Sequence, residues 1–324
     1  MSEPKNSHFV SKVYLNNFSF DENGNLYSLS IKSPYPKIKV KERNISQICY
    51  EEDIYKIKTD KVLKDIFSTD PNYIEKNLFS YETKFLNSIK SKIENCDNLE
   101  IEDARNFIKA ITSIKYRNTS VKEKIFDQDF LMNSKNNNFN LFKDHLRTNG
   151  IPIDENPNFI RFFELAEEAV SHQLKNENVV SDIYNQTIIE IETGTNSINN
   201  YVVDELLKCH ITILCTSKLM PFITSDNPGF VLHPNGKIEN TILTNAEAFV
   251  FPLTPTRLII INLKDLDSSS STIKKITYTD TNEDEIKKIY IASINVAKEK
   301  IFSNNFDVLE GLKLKYHHNF ILKK

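Results

Sequence analysis

The acidic residue Asp226 is the first candidate for chemistry, because it stands where a predicted core strand gives way to a turn. A run of β-forming residues, Ile211 to Cys215, leads towards it, and Asn227-Pro228-Gly229 supplies turn residues directly after it. Enzymes often present side chains at such positions. Three polar neighbours are candidate binding residues: Thr224, Ser225 and Asn227. Alternatively, the segment 224–226 only closes a turn through hydrogen bonds from side chain to backbone.

Two glutamates, Glu75 and Glu82, are the second candidate, because they lie two turns apart on a predicted helix. Apolar residues recur at helical spacing from Ile74 to Ile93, so we expect a helix over about 74–95. Both glutamates then point in almost the same direction, within an apolar sector. Because burying an unpaired carboxylate is costly, they need a cation, an arginine or a metal as partner. Alternatively, this sector reaches the edge of the protein and both glutamates are solvated.

Arg117 is the third candidate and stands at the end of the next predicted helix, over about 101–118. If the two helices form an antiparallel hairpin, its guanidinium can pair with Glu75 or Glu82 in a purely structural role. The same group is equally suited to binding an anion. The sequence leaves both roles open.

The remaining pattern separates helices from strands along the chain. An N-terminal hairpin is expected over 8–40, a helical region over 72–180 and a strand-rich region over 207–280. The segment Thr281-Asn282-Glu283 caps a last helix predicted over 283–302. This segregation predicts an α+β fold, with the helical layer packed on a mostly antiparallel sheet built from the C-terminal half plus the N-terminal hairpin. No repeat or linker divides the sequence, so we expect a single domain over 1–324.

Three local expectations are more specific. The Asn-rich run Asn133–Asn140 predicts a loop. A helix over Phe159–Leu174 should turn Phe162 and Phe163 inward. The tail near Tyr316–His318 predicts a short strand, whose adjacent histidines would face opposite sides and make poor joint ligands.

Composition restricts the class of protein. With 324 residues, of which 40% are hydrophobic and 26% charged, the chain is typical of globular proteins. A net charge of −3 gives no general electrostatic reason to bind nucleic acid or an anionic membrane. Four scattered cysteines without a CxxC pair favour a reducing compartment. No apolar run approaches the roughly 20 residues of a membrane helix, so we expect a cytoplasmic protein without a membrane partner.

Four pieces of sequence, in order, resemble the family called domain of unknown function 4238. They are His8-x-Val-x3-Tyr-Leu-x2-Phe18, Glu75-x6-Glu82, Arg117 at the end of the next helix, and Ile223-Thr-Ser-Asp-Asn-Pro228 followed by Phe251-Pro-Leu253. The resemblance covers about residues 8–310. The chain departs from the family pattern at Ser11, where a proline is usual, and at Ile114, where a polar residue often precedes the arginine. The family name supplies no activity, so the chemistry rests on the residues.

The first hypothesis is a hydrolase that gathers His8, Glu75, Glu82 and Asp226 in one polar pocket. Carboxylates with a histidine suit Mg²⁺ or Mn²⁺, which would activate water against a phosphodiester. Arg117, or a lysine, would neutralise the phosphate charge. We therefore expect Asp226 to share a pocket with at least one of the two glutamates. The enzyme would be a phosphodiesterase or nuclease acting on nucleic acid, in defence against phage.

The second hypothesis is a non-catalytic sensor or partner-binding module, whose polar cluster only joins the helices to the sheet. The sequence lacks the HExxH, P-loop and GxSxG motifs of well-known enzyme classes. Carboxylates that converge on one point, with room for an ion, would favour the enzyme. A closed network of side chains bonded to the protein itself would favour the module, which then binds a protein or another partner.

Overall fold

The computed structural model describes residues 6–32, 38–56, 74, 80–240, 246–264 and 276–321, and within these ranges the chain has an α+β fold. The helices are α1 (Lys12–Asn16), α2 (Ser80–Glu94), α3 (Ile101–Arg117), α4 (Thr119–Ile125), α5 (Gln128–Thr148), α6 (Pro157–Leu174), α7 (Glu177–Thr193), α8 (Ser197–Lys208), α9 (Glu283–Val296) and α10 (Phe306–Ile321). The strands are β1 (Asn6–His8), β2 (Asn25–Ser30), β3 (Lys41–Asn44), β4 (Tyr50–Glu52), β5 (Ile211–Cys215), β6 (Thr224–Ser225), β7 (Phe230–Leu232), β8 (Ile238–Glu239), β9 (Ala248–Thr254), β10 (Arg257–Asn262), β11 (Ile276–Asp280) and β12 (Lys300–Ser303).

Two larger sheets carry the predicted, mostly antiparallel architecture. A six-stranded sheet has the order β11-β5-β10-β9-β7-β8 and is antiparallel except for the parallel pair β11 and β5. A four-stranded antiparallel sheet has the order β3-β2-β12-β6. The strands β1 and β4 form a separate antiparallel pair. The N-terminal strands β2 and β3 therefore pair with β12 and β6 in the four-stranded sheet and do not join the six-stranded one.

Helices cover both faces of the six-stranded sheet. On one face, α2, α3 and α8 pack apolar side chains such as Phe107 and Leu206 around Ile259. On the other face, α9 packs Tyr290 in the cluster that contains Leu258. Because neighbouring residues of a strand point to opposite faces, Leu258 and Ile259 are buried in different cores. The central strand β10 thus fixes the sheet between two helical layers.

The helices α2 and α3 confirm the helical expectations as far as the structure describes them. Ser80–Glu94 is helical and buries Ile89 and Ile93, whereas residues 75–79 lie outside the described ranges. The helix α3 begins with a capping box between Glu100 and Asp103, which satisfies backbone N–H groups at its start. Its last turn carries two basic side chains, and these reach the candidate site.

The helices α5 and α6 correct two local predictions. The Asn133–Asn140 run lies inside α5, which Asp127 caps by accepting from the backbone N–H groups of residues 129 and 130. An Asn residue costs a helix only about 0.7 kcal/mol relative to alanine, so a capped helix packed on α6 tolerates the run. Phe163 is buried as predicted, but Phe162 is 59% exposed, because among the described elements α6 packs mainly against α5 and α7.

The C-terminal part corrects two more predictions. The helix predicted over 283–302 ends at Val296, and Lys300–Ser303 forms β12 between β2 and β6. Backbone N–H groups that a continuing helix would bond internally are instead bound by the Asp226 side chain. The tail at Tyr316–His318 lies in α10 rather than in a strand, because Asn305 caps that helix.

The sequence predicts residues 18–20 as the first arm of the N-terminal hairpin, before a turn over 21–25, but the structure has a different arrangement. The segment 18–20 is not a strand, and the preceding apolar residues form α1, which buries Tyr14 and Leu15. The Asp21 carboxylate accepts from the backbone N–H groups of Asn23 and Asn25 and turns the chain into β2. Strand β2 then pairs with β3 on one side and β12 on the other.

Candidate functional site

The Asp226 carboxylate binds the backbone between α9 and β12. Its Oδ1 accepts from the N–H of Lys298 at 2.8 Å, and its Oδ2 accepts from Glu299 at 2.7 Å and Lys300 at 3.0 Å. The backbone N–H of Asp226 donates in turn to the Lys300 carbonyl at 3.1 Å. Since a carboxylate offers about four lone-pair positions, most of its accepting capacity serves this turn.

Lys115 is fully buried and connects α3 to residues 227–229, which directly follow Asp226. Its Nζ donates to the carbonyls of Gly229 at 2.6 Å and Pro228 at 2.9 Å, and lies 3.3 Å from Asn227 Oδ1. Lysine is almost never fully buried unless it is paired. The sequence analysis missed this residue, although it falls on the apolar face of α3, four residues after Ile111. A lysine on the apolar face of a predicted helix was the sequence signal that could have identified this residue.

Asn118 adds a second connection between α3 and the loop 221–230. Its Nδ2 donates to the Asp226 carbonyl at 2.7 Å, and its Oδ1 accepts from the backbone N–H of Ser120, which caps α4. Asn118 therefore fixes the direction in which the chain leaves α3. It also keeps the start of α4 close to Asp226.

The predicted binding residues Thr224, Ser225 and Asn227 are buried, and each bonds to the protein itself. Thr224 Oγ1 lies 2.6 Å from the hydroxyl of Tyr14, which donates to the Pro252 carbonyl at 2.7 Å. Ser225 Oγ accepts from the N–H of Asn227 at 3.1 Å. Asn227 Nδ2 donates to the carbonyl of residue 296 at 2.8 Å. The bond between Ser225 and Asn227 closes the turn, as the alternative interpretation expects. The other contacts join the segment to Tyr14 and to the end of α9.

Arg117 and His8, which the enzyme hypothesis names as site residues, are joined by a bond to the His8 backbone. Arg117 Nη2 donates to the His8 carbonyl at 2.7 Å, and the Tyr55 ring lies beside the guanidinium, with its centroid 5.7 Å from Cζ. Tyr184 donates its hydroxyl to the Arg117 carbonyl at 3.0 Å. Both predicted site residues are buried, and the His8 ring packs near Tyr50.

The two glutamates of the predicted metal site are not described. Glu75 lies outside the described residues, and only the backbone of Glu82 is described, within α2. In the part of the chain that the structure describes, no group of three His, Cys, Asp or Glu side chains is placed to hold a metal ion. A pocket shared by Asp226 and a glutamate, and a Mg²⁺ or Mn²⁺ site, therefore stay predictions.

A cleft of about 240 Å³ borders Asp226 and is lined by the segments 49–51 and 298–300 together with Thr119. A second cavity of about 480 Å³ lies between α4, the start of α5 and the start of α7. Both cavities are lined by Glu51 and Thr119, so we describe them together as the Thr119 groove. Thr119 is 3% exposed, and its hydroxyl has no hydrogen-bond partner among the described residues.

The Thr119 groove carries charges of both signs. Its lysines are Lys122, Lys175, Lys298 and Lys300, and its acidic residues are Glu51, Glu123, Glu177, Asp226 and Glu299. Lys298 pairs with Glu123. Glu51 and Lys300 line the same cleft, yet neither forms an ion pair with any described residue. This balance differs from the basic surface that a nucleic-acid backbone requires.

Burial perturbs two acidic groups that line the cleft. Burial raises the pKa of Asp226 to about 6, against the opposing effect of the three backbone N–H donors. Burial also raises the pKa of the neighbouring Cys49 thiol well above its ordinary value. Cys49 is therefore protonated at neutral pH and is not a thiolate nucleophile.

The contribution of Asp226 to the stability of the protein should fall as the pH rises from about 4 to about 7. The folded state binds this proton more tightly than the unfolded state, whose Asp pKa is about 3.9. The contribution is present below that pH and is lost as the pH rises through about 6, a change of about 3 kcal/mol. Urea unfolding of wild type and Asp226→Asn across this range measures it. A difference between the two proteins that stays constant with pH would contradict the assignment.

Comparison with known proteins gives one match. The family model described as Protein of unknown function (DUF4238) matches residues 6–307, from β1 to the start of α10. No curated protein and no solved structure gives a significant match. Within the described residues, no helix has the length and apolar character needed to cross a membrane.

Proposed function

Since the chain belongs to the DUF4238 family, whose name assigns no reaction, we propose a function from the groove itself: a non-catalytic sensor module that binds a small zwitterionic ligand, such as a dipeptide. One observation carries this proposal. Thr119, whose buried hydroxyl has no partner among the described residues, lines a cleft that also presents Glu51 and Lys300, and neither of these pairs with a described residue.

The polar network behind the groove supports a structural rather than a catalytic role. The groups of Asp226, Lys115 and Asn118 described above bind the backbone of the protein. These side chains already form hydrogen bonds within the protein in the absence of a ligand. They position α4, and therefore Thr119, against the segment 298–300.

The chemistry of the cleft favours a ligand with one charge of each sign. Glu51 suits an ammonium group and Lys300 suits a carboxylate. A buried hydroxyl without a partner costs about 1–3 kcal/mol, which a hydrogen bond from the ligand would offset. The cleft and the adjoining cavity have volumes of about 240 and 480 Å³, which together accommodate a dipeptide-sized molecule.

Calorimetric titration with Ala-Ala tests this proposal. Thr119→Val keeps the side-chain shape and removes the hydroxyl, so the affinity should fall by about tenfold, which corresponds to one hydrogen bond. Thr148→Val is the matched control, because Thr148 is exposed on α5 and lies outside the groove. Wild type that gives no saturable heat at about 10 mM dipeptide would overturn the proposal.

Two blocked dipeptides assign the charges. N-acetyl-Ala-Ala lacks the ammonium group, so Glu51→Gln should weaken Ala-Ala binding but leave binding of the acetylated form unchanged. Ala-Ala-amide lacks the carboxylate, so Lys300→Met should weaken the binding of Ala-Ala but leave the binding of Ala-Ala-amide unchanged. Equal effects of each variant on blocked and free dipeptides would contradict direct ion pairing.

A metal-dependent hydrolase, a phosphodiesterase or nuclease acting in defence against phage, is the second candidate. The observation that favours it is the pKa of Asp226, raised to about 6 beside an open cleft, because perturbed pKa values cluster at functional sites. In this function, Glu75, Glu82 and His8 complete a Mg²⁺ or Mn²⁺ site with Asp226. Arg117 neutralises the phosphate of a nucleic-acid substrate.

Thermal melts with divalent ions test the second candidate. With a Kd near 0.1 mM, about 10 mM Mg²⁺ or Mn²⁺ should stabilise the wild type by roughly 2.7 kcal/mol. Glu82→Gln should remove most of this gain, because it deletes one ligand charge without opening a cavity. A wild-type melting temperature that neither ion changes would exclude the metal site.

A further inference from the structure

A separate, apolar cavity of about 460 Å³ lies between the six-stranded sheet and α9. It shares no lining residue with the Thr119 groove. Its volume lies within the range of about 300–1,000 Å³ that is typical of ligand pockets. We call it the α9 cavity.

The sheet side of the α9 cavity is one continuous apolar face. Val250 lies directly opposite Ile260 on β10 and directly opposite Phe230 on β7. Directly opposed residues of neighbouring strands point to the same face, so these three side chains form one surface. Leu214 on β5 extends this surface. Protein interiors are normally close-packed. A space of about 460 Å³ over this apolar face is therefore large enough to hold a ligand.

The helix side of the α9 cavity adds apolar residues and one unpaired cation. Ile289 and Ala292 line the cavity on α9, and Glu285 and Lys288 supply its polar groups. Glu285 accepts from the Thr281 hydroxyl at 2.8 Å and the Asn282 N–H at 3.2 Å, so its carboxylate is engaged in the helix cap. Lys288 is exposed and forms no ion pair with any described residue.

We propose that the α9 cavity binds an aliphatic monocarboxylate of medium chain length, with its carboxylate at Lys288. The hydrocarbon chain removes its apolar surface from water against the sheet face and α9. The Lys288 ammonium, which pairs with no residue in the described ranges, complements the carboxylate. A ligand of opposite charge is disfavoured, because the Glu285 carboxylate already accepts two hydrogen bonds.

A series of fatty acids tests the apolar part of the site. Binding of hexanoate, octanoate and decanoate, measured by calorimetry, should strengthen by about fourfold for each added methylene. Ala292→Leu places extra volume in the cavity and should weaken decanoate and decanol alike. If Ala292→Leu does not fold, Ile238→Phe fills the cavity from a less buried position.

Two lysine variants test the polar part. Lys288→Met keeps the apolar stem and should weaken decanoate by about fivefold to tenfold, the range of a partly solvated ion pair, while decanol binding stays unchanged. Lys287→Met is the matched control, because Lys287 pairs with Glu283 and does not line the cavity. Decanoate binding that is absent at about 1 mM, or insensitive to both Lys288→Met and the filling variant, would overturn the proposal. Thr119→Val should leave decanoate binding unchanged, which separates this site from the groove.

Discussion

Lys115→Met should destabilise the protein by about 2–4 kcal/mol, because two buried carbonyl groups each lose a hydrogen bond from a charged donor. The substitution keeps the length of the side chain but removes the donor to the carbonyls of Pro228 and Gly229. These acceptors remain buried and lose a bond. Urea unfolding monitored by circular dichroism measures the loss.

The control for this prediction is Lys109→Met on the same helix. Lys109 is half-buried and forms no ion pair with a described residue, so its loss should change stability by less than about 0.5 kcal/mol. Asn227→Ala combined with Lys115→Met should give less than the sum of the two single effects, because the residues share one network. A Lys115→Met effect no larger than the control would contradict the structural role of Lys115.

Asp226→Ala should destabilise the protein by about 2–4 kcal/mol at pH 7. Three backbone N–H groups lose their acceptor, and part of that cost is offset because a buried carboxylate no longer has to be desolvated. Asp280→Ala, at the exposed end of β11, is the matched control. A variant as stable as wild type would contradict the structural role and favour a chemical one.

The elements predicted best are those whose signals are local. The helix α3 has an apolar stripe and acidic residues at its start, and both signals lie within its own sequence. The strand β10 is a short apolar run bounded by polar residues. In both cases the residues that determine the structure also form the element, so periodicity and capping were sufficient.

The elements predicted wrongly depend on distant partners. The helix α9 ends before Ile301 because Asp226, more than 70 residues earlier in the chain, binds the backbone that follows it. Strand β12 then forms between β2 and β6, and neither neighbour is local in sequence. Helical propensity alone would continue α9 beyond Val296, but the tertiary hydrogen bonds override this propensity.

The candidate site could be predicted only in part. The turn at Asp226 follows from its flanking residues. The enzyme hypothesis named Arg117 and His8 for one site, but it did not predict the bond from the Arg117 side chain to the His8 backbone. The groove could not be predicted, because Glu51, Thr119 and Lys300 come from three distant segments and share no spacing. An unpaired buried hydroxyl is a property of the folded structure and leaves no sequence signal.

The most direct test of the sensor proposal is a crystal structure of the protein with Ala-Ala bound. The proposal predicts the dipeptide in the Thr119 groove, with its ammonium group within about 3 Å of Glu51 and its carboxylate at a similar distance from Lys300. It also predicts a hydrogen bond between the ligand and Thr119 Oγ1. A groove free of dipeptide at saturating concentration, or a Thr119 hydroxyl bonded only to the protein, would contradict the proposal.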